Sequence, residues 1–385
     1  MFDKELLKIK QKQPMKTNTM LRVSGIFLAI SFLVSSCDND LQTVGDFVET
    51  PVVYAMLNWQ DAAHYVRVER AFIDKNTGAT TLAADPAAIY FPNATVSLQK
   101  INNRTNAVVQ TIPMAKVDGA TEGYPRMAGV FATTPNYIYK TTEVLDTATY
   151  GVTVNNDRKR TALYRYGIKI YNDDSKKTYT AETRLINYFL LDLPAANTVQ
   201  QWIPVAQNPK LRVFKLNAPE SAAVFDIDLH FEYTERQGSG SFQPKQFIWK
   251  LARNLRAVDE NGTNVLTYKV DPVELFNVLN ANLSKVVDPT QLVRCGTSLK
   301  YRAYVYAAGS DYASYTQFTN ELSGVSSSDV IPQYSNIKDG RGFMSSRCLY
   351  QSDAFVFGKE TVDSIALSYR TSKLNFTTWN SSVCN

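Results

Sequence analysis

The 385-residue chain carries 41 Lys and Arg against 36 Asp and Glu, a formal net charge of +5, with 22 Tyr, 19 Phe and only four Cys. Six of the basic and two of the acidic side chains lie in residues 1–36, so the remainder holds 35 against 34, a net of +1. A surface that close to neutral lacks the basic footprint that neutralises several phosphates together, which excludes nucleic acid as a partner.

The first stretch places Lys4, Lys8, Lys10, Lys12, Lys16 and Arg22 ahead of an apolar run from Val23 to Val34 that includes Ser24, Gly25 and Ser31. A positive region before a short apolar one reads as a secretory signal. The run falls short of the roughly 20 apolar residues a membrane-spanning helix needs. It closes on Leu33-Val34-Ser35-Ser36-Cys37, which resembles the lipobox of bacterial lipoproteins. That resemblance implies a signal peptide over residues 1–36 and lipidation of Cys37 after cleavage; Met15 and Met20 leave the start of translation open. Residues 37–50, with Asp38, Asp40 and Asp46, have little to bury and read as a flexible tether. Acidic residues after the cysteine also resemble a surface-export signal, so the periplasmic face and the cell surface both stay open.

Residues 51–191 read as an N-terminal Ig-like β-sandwich. Pro51 to Leu57 and His64 to Arg70 are its first strands, with His64, Val66 and Val68 on one face and His64 at the edge of the core. Thr95 to Ile101 and Tyr150 to Val154 follow. The best-marked hairpin sets Tyr164, Tyr166, Ile168 and Ile170 on one face, turns at Asn172 to Ser175, and returns with Tyr179, Ala181, Thr183 and Leu185 at period two. Between strands, Asp74 to Phe91 and Asp118 to Lys140 are long, aperiodic and rich in aromatics. Loops of that length are often functional, so Tyr90, Phe91, Tyr124, Tyr137 and Tyr139 are candidates for binding a ligand or partner; the alternative is that they pin the loops to the sandwich.

Four prolines between Asp192 and Pro219 mark residues 192–220 as a linker, and residues 221–385 as a second β-rich domain, sandwich or barrel-like, with one or two short helices. Its opening strand alternates Phe225, Ile227, Leu229, Phe231 and Tyr233 with Asp226, Asp228, His230 and Glu232. Residues two apart on a strand point the same way, so Asp228, His230 and Glu232 could meet a metal or share acid/base work. An ordinary half-exposed strand has the same pattern. Phe247, Trp249 and Leu251 continue the alternation, and Asp259 to Gly262 makes a hairpin turn. A helix is predicted from Pro272 to Val286, with Asp271 as cap, Glu274 in capping-box position, and Phe276, Leu279 and Leu283 as its stripe. Leu299 to Tyr306 is a strand, followed by a short helix with Tyr312, Tyr315, Phe318 and Leu322; Pro332 to Arg347 is glycine-punctuated. Cys295, Cys348 and Cys384 form no CxxC pair, so a zinc or redox site is not expected, and no cofactor is assigned. In an oxidising compartment two of the three can pair, with the pairing left open.

Taken together, the lipobox, Pro51-Val52-Val53-Tyr54, Ala94-Thr95-Val96-Ser97-Leu98, the Tyr-x-Tyr-x-Ile-x-Ile hairpin and the glycine-punctuated run resemble the two-part β-rich outer-membrane lipoproteins of Bacteroidota, a domain-of-unknown-function family. Asp146-Thr147-Ala148 and Asp363-Ser364-Ile365 also look like O-glycosylation acceptors of that phylum. The resemblance carries over no catalytic residue. It implies a lipid-anchored outer-membrane protein without enzymatic activity, serving as accessory subunit or lid of an outer-membrane β-barrel in transport, secretion or assembly. The alternatives are a surface glycan- or peptide-binding lipoprotein and a metal-dependent hydrolase.

Overall fold

Alternation of apolar and polar residues decides which face of each strand turns inward, and the computed structural model, which describes residues 49–71, 77–154, 157–203, 210–260, 263–322 and 334–384, is mainly β and sandwich-like. The leader, Cys37 and the tether up to Val48 lie outside the described residues. β1 (Pro51–Leu57) and β2 (His64–Arg70) pair antiparallel and point Val53, Ala55, Leu57, Val66 and Val68 into one core, all but Val68 at 1% exposure or less. Full burial of a valine or leucine side chain is worth roughly 1.5–3 kcal/mol, so this hairpin is a principal source of stability.

β3 (Ala94–Asn102), β8 (Tyr164–Asn172) and β9 (Lys177–Thr183) form the facing layer. β4 (Val108–Asp118) joins the two layers: up to Met114 it pairs with β3, and from Ala115 it pairs with β5 (Tyr137–Thr141), which in turn pairs with β2. Val96, Leu98, Ile168, Ile170 and Tyr179 meet the β1–β2 side chains in one cluster. A hairpin of β6 (Thr149–Val154) and β7 (Asp157–Ala162) stands apart as a separate two-stranded sheet. The segment expected as a loop from Asp74 to Phe91 contains two short helices, α1 (Ala79–Ala83) and α2 (Pro86–Ile89); the Asp85 side chain caps α2 through Ala87 N.

The second core is framed by β11 (Ala222–Gln237), β12 (Gln243–Leu255) and β15 (Leu292–Gly309), against which β10 (Arg212–Asn217), β14 (Thr263–Val270) and β13 (Val258–Glu260) form a smaller sheet. Phe225, Ile227, Leu229 and Phe231 are at 0% exposure, as the alternation predicted. Residues 192–220 hold part of this core: Trp202, Phe214 and Leu216 are buried in it and Arg212–Asn217 is strand β10. α3 (Glu274–Asn282) is shorter than the predicted helix. The Asp271 carboxylate accepts from Val273 N at 2.9 Å, while Glu274 turns to Asn277 at 3.1 Å, so no reciprocal capping box forms. After Leu283 the chain leaves the helix and Val286 N donates to Lys373 O at 2.7 Å. α4 (Ser310–Leu322) follows β15, and α5 (Lys359–Leu367) adds a helix that the sequence pattern did not announce.

One strand belongs to both cores. In β16 (Arg341–Gln351), Arg341 to Ser346 pair parallel with Val52 to Leu57 of β1, and Arg347 to Gln351 pair antiparallel with Tyr304 to Ala308 of β15. The result is a continuous sheet in the order β12-β11-β15-β16-β1-β2-β5-β4-β3-β8-β9, with β17 (Phe355–Val356) added on β15. Met344 and Ile337 fill the first core and Tyr350 the second. Just upstream of β16, Lys338 N donates to Thr180 O on β9 at 2.8 Å, which closes the first layer pair into a ring. The glycine run of the sequence is therefore the joint of the molecule: Gly342 sits at φ +95°, and a Cβ there would collide with the Val53 carbonyl oxygen.

Candidate functional site

The column Asp228, His230 and Glu232 does lie on one outward face of β11, but its charges are already matched. Arg253 Nη2 on β12 donates to Asp228 Oδ1 at 2.5 Å. On β15, Arg302 Nε and Lys300 Nζ approach the two Glu232 carboxylate oxygens at 3.0 and 3.1 Å. Burial pushes the Glu232 carboxyl up, yet the bonds from Arg302 and Lys300 outweigh it and hold the group below the ordinary glutamate value. The His230 ring stacks on Tyr304 with centroids 3.9 Å apart. Carboxylates held by guanidinium and ammonium groups are poor metal ligands and poor bases. Among the described residues, no group of three or more His, Cys, Asp or Glu is arranged to hold a metal ion.

Where that face meets β16 a cleft of about 710 Å³ opens. Tyr306 on β15, Tyr312 on α4, Arg253 on β12 and Arg347 on β16 line it, together with Met56 and Phe225. Tyr306 is 41% exposed. Arg347 Nη2 pairs with Asp61 at 2.9 Å, and Arg253 also approaches Asp226 at 3.7 Å, so the cleft presents planar polar groups without a strong net charge. Its rim is held by the β1–β2 turn: Gln60 donates from Nε2 to Leu349 O and accepts from Leu349 N, both at 2.8 Å, as a strand neighbour would. Partly exposed aromatic faces beside paired Arg and Asp suit a polar, hydroxyl-rich or peptide ligand better than a bare ion. Sequence alone does not mark this site, because its walls come from residues near 60, 250, 306 and 347 that converge only through β16.

The loop aromatics separate into two groups. Tyr90, Phe91 and Tyr139 are 5, 3 and 4% exposed, so the expectation that they form a binding surface is corrected: they are built into the sandwich. Each buries a large ring, and α1, α2 and β5 supply the order that the sequence pattern lacked. Tyr137 is half-buried against Tyr90, centroids 5.2 Å apart. Tyr124 remains 54% exposed, edge-on to Tyr65 at 4.9 Å. His64 is 3% exposed and lines the core, its imidazole held below the usual value by burial.

Cys295 and Cys384 form a disulfide, Cα atoms 5.7 Å apart, and Cys348 is a buried free thiol that burial pushes up to about 11. Cys37 lies outside the described residues. Among those described, no helix is long and apolar enough to cross a membrane.

No family model matches the chain, and no curated protein matches it. Among solved structures, the C-terminal globular domain of oligosaccharyltransferase from Pyrococcus abyssi aligns over 87% of this chain at 10% identity, with a TM-score of 0.17. The chain spans 57% of that structure's length, and a likeness at this score carries no argument about fold or activity.

Proposed function

We propose that the chain is a lipid-anchored, non-catalytic subunit of the bacterial outer membrane, tethered through Cys37 and engaging an outer-membrane β-barrel of a transport, secretion or assembly machine, as the resemblance to the Bacteroidota lipoproteins implies. The structural observation that carries most weight is the Cys295–Cys384 disulfide, which suits an exported protein and would be short-lived in a reducing cytoplasm. The engagement of the Asp228 and Glu232 carboxylates by Arg253, Lys300 and Arg302 supports the non-catalytic part of the reading. Cys37→Ala is expected to abolish metabolic labelling with palmitate and to leave an uncleaved precursor. Purification of the wild-type protein from membranes in gentle detergent is expected to bring down a β-barrel protein; repeated recovery of the lipoprotein alone would sink the partner assignment.

The cleft favours a second reading, a surface lipoprotein that binds a glycan or short peptide between Tyr306 and Tyr312. Binding on a glycan or peptide array that survives Tyr306→Ala unchanged would count against this use of the cleft.

A further inference from the structure

The loop between β4 and β5 is fastened at both ends yet presents an apolar tip. Gly119 N donates to Asn136 O at 2.7 Å, and the fully buried Asn136 side chain accepts from Arg67 at 2.8 Å and donates to Tyr124 O at 2.7 Å. Farther along, Arg126 pairs with Glu69 of β2 and Ala132 N donates to Ala83 O of α1 at 2.9 Å. Between these two fastenings run Met127, Ala128, Gly129, Val130 and Phe131, all exposed and without a charge; Met127 is 86% and Val130 59% exposed. A contiguous exposed apolar segment on a rigid base marks a contact surface, where scattered single residues would not.

Its position says what it touches. Glu69 pairs with Val52 and Arg70 with Pro51, so Arg126, the residue just before the tip, is fastened beside the first residues of β1. At that same end the Glu49 carboxylate accepts from Asn172, Ser175 and Tyr179 at 3.0, 2.8 and 2.5 Å, which pins the point where the tether joins the body to the β8–β9 turn. Glu49 lies twelve residues after Cys37. A chain of that length spans at most about 40 Å, which limits distance from the bilayer and leaves orientation free.

We infer that the Met127–Val130 tip inserts into the headgroup region of the same leaflet that holds the Cys37 lipid, forming a second membrane contact that orients the body with its β8–β9 turn toward the bilayer. The inference rests on the lipid anchor of the proposed function. Side chains that insert this way sit roughly 5–10 Å into the boundary between headgroups and acyl chains.

Val130→Cys in the full lipidated chain gives a single reactive thiol for an environment-sensitive dye, since Cys348 is buried and Cys295 and Cys384 are paired. The control is Val144→Cys, 84% exposed just past Thr141 of β5, at the opposite end of that strand. In phosphatidylethanolamine/phosphatidylglycerol vesicles carrying acyl-chain nitroxides, the dye at position 130 is expected to shift blue and be quenched, and the dye at 144 to remain as in water. With palmitate incorporated and position 130 as unquenched as 144, the insertion is overturned and the anchor stands. That result together with crosslinking of position 130 to an envelope protein would assign the tip to a protein partner instead. A chain without palmitate overturns the anchor and the inference with it.

Discussion

Gly342 is the residue at which the two halves of the sheet are most sensitive to a single atom. Its positive φ suits glycine, and any Cβ would run into the Val53 backbone. Gly342→Ala is expected to cost roughly 1–3 kcal/mol, read as a lower denaturant midpoint; an unchanged midpoint would mean that β16 tolerates displacement from β1. His64 acts through protons. Because burial holds its folded value below the ordinary 6.5, the unfolded chain takes up a proton first as pH falls. Its contribution is therefore complete above about pH 6.5 and is lost as the pH drops through the folded value. Between about pH 7.5 and about pH 5.5, urea midpoints should fall more for the wild type than for His64→Gln; parallel falls would remove His64 as the cause. The inward placement of His64 was legible from its two-residue spacing to Val66 and Val68. The cation partners of Asp228 and Glu232 were not, because Arg253, Lys300 and Arg302 sit on strands whose register a single sequence does not reveal.

At the scale of elements, the start of β15 and the C-terminal segment hold each other by several means at once. Arg294, 2% exposed, donates to Leu374 O at 2.6 Å and Ser284 O at 3.1 Å and meets Glu235 at 3.3 Å. Its own backbone pairs with Asn375 and Thr377, and the next residue is Cys295 of the disulfide. Arg294→Met would leave the Glu235 carboxylate with only Lys245, at 3.8 Å, and two carbonyls without their donor, and is expected to cost about 3–5 kcal/mol in a denaturant titration. Cys384→Ser, which opens a loop of sequence separation 89, is expected to cost about 4.6 kcal/mol on loop-entropy grounds, measured the same way. Strands with strict alternation, such as β1, β2, β8 and β11, were legible to within a residue or two at the start. β4 and β5 were not, since their burial patterns break period two, β4 where the strand changes partner from β3 to β5. The pairing of Cys295 with Cys384 was equally hidden, because it depends on the C-terminal segment lying along β15.

For the whole molecule, the two cores share β16, and Trp59 packs half-buried against both while its indole donates to Ile186 O at 3.0 Å. Thermal unfolding is accordingly expected to proceed as one transition seen alike by near- and far-ultraviolet circular dichroism; two separated transitions would show that the shared strand couples the halves weakly. A fragment of residues 49–191 has β1 without its parallel neighbour and a core without Ile337 and Met344. It is expected to aggregate or remain unfolded, while the same fragment joined through a flexible linker to residues 334–351 should gain protease resistance. The mainly β class and the two apolar centres could be read from alternation alone. The sharing of a strand could not, because residues 341–346 lie nearly 300 positions from their partners and form a short stretch without a two-residue period.

That shared strand also sets a timetable for biogenesis. Synthesis runs from the N-terminus, so residues 341–346, which complete the first sandwich, are made after most of the chain, and the edge of β1 that they pair with waits unpaired until then. An unpaired apolar edge is a template for association with other chains. Pulse-chase proteolysis should therefore show residues 51–183 becoming resistant only after residue 346 has been made. Resistance gained on a chain arrested before residue 341 would refute this order of assembly.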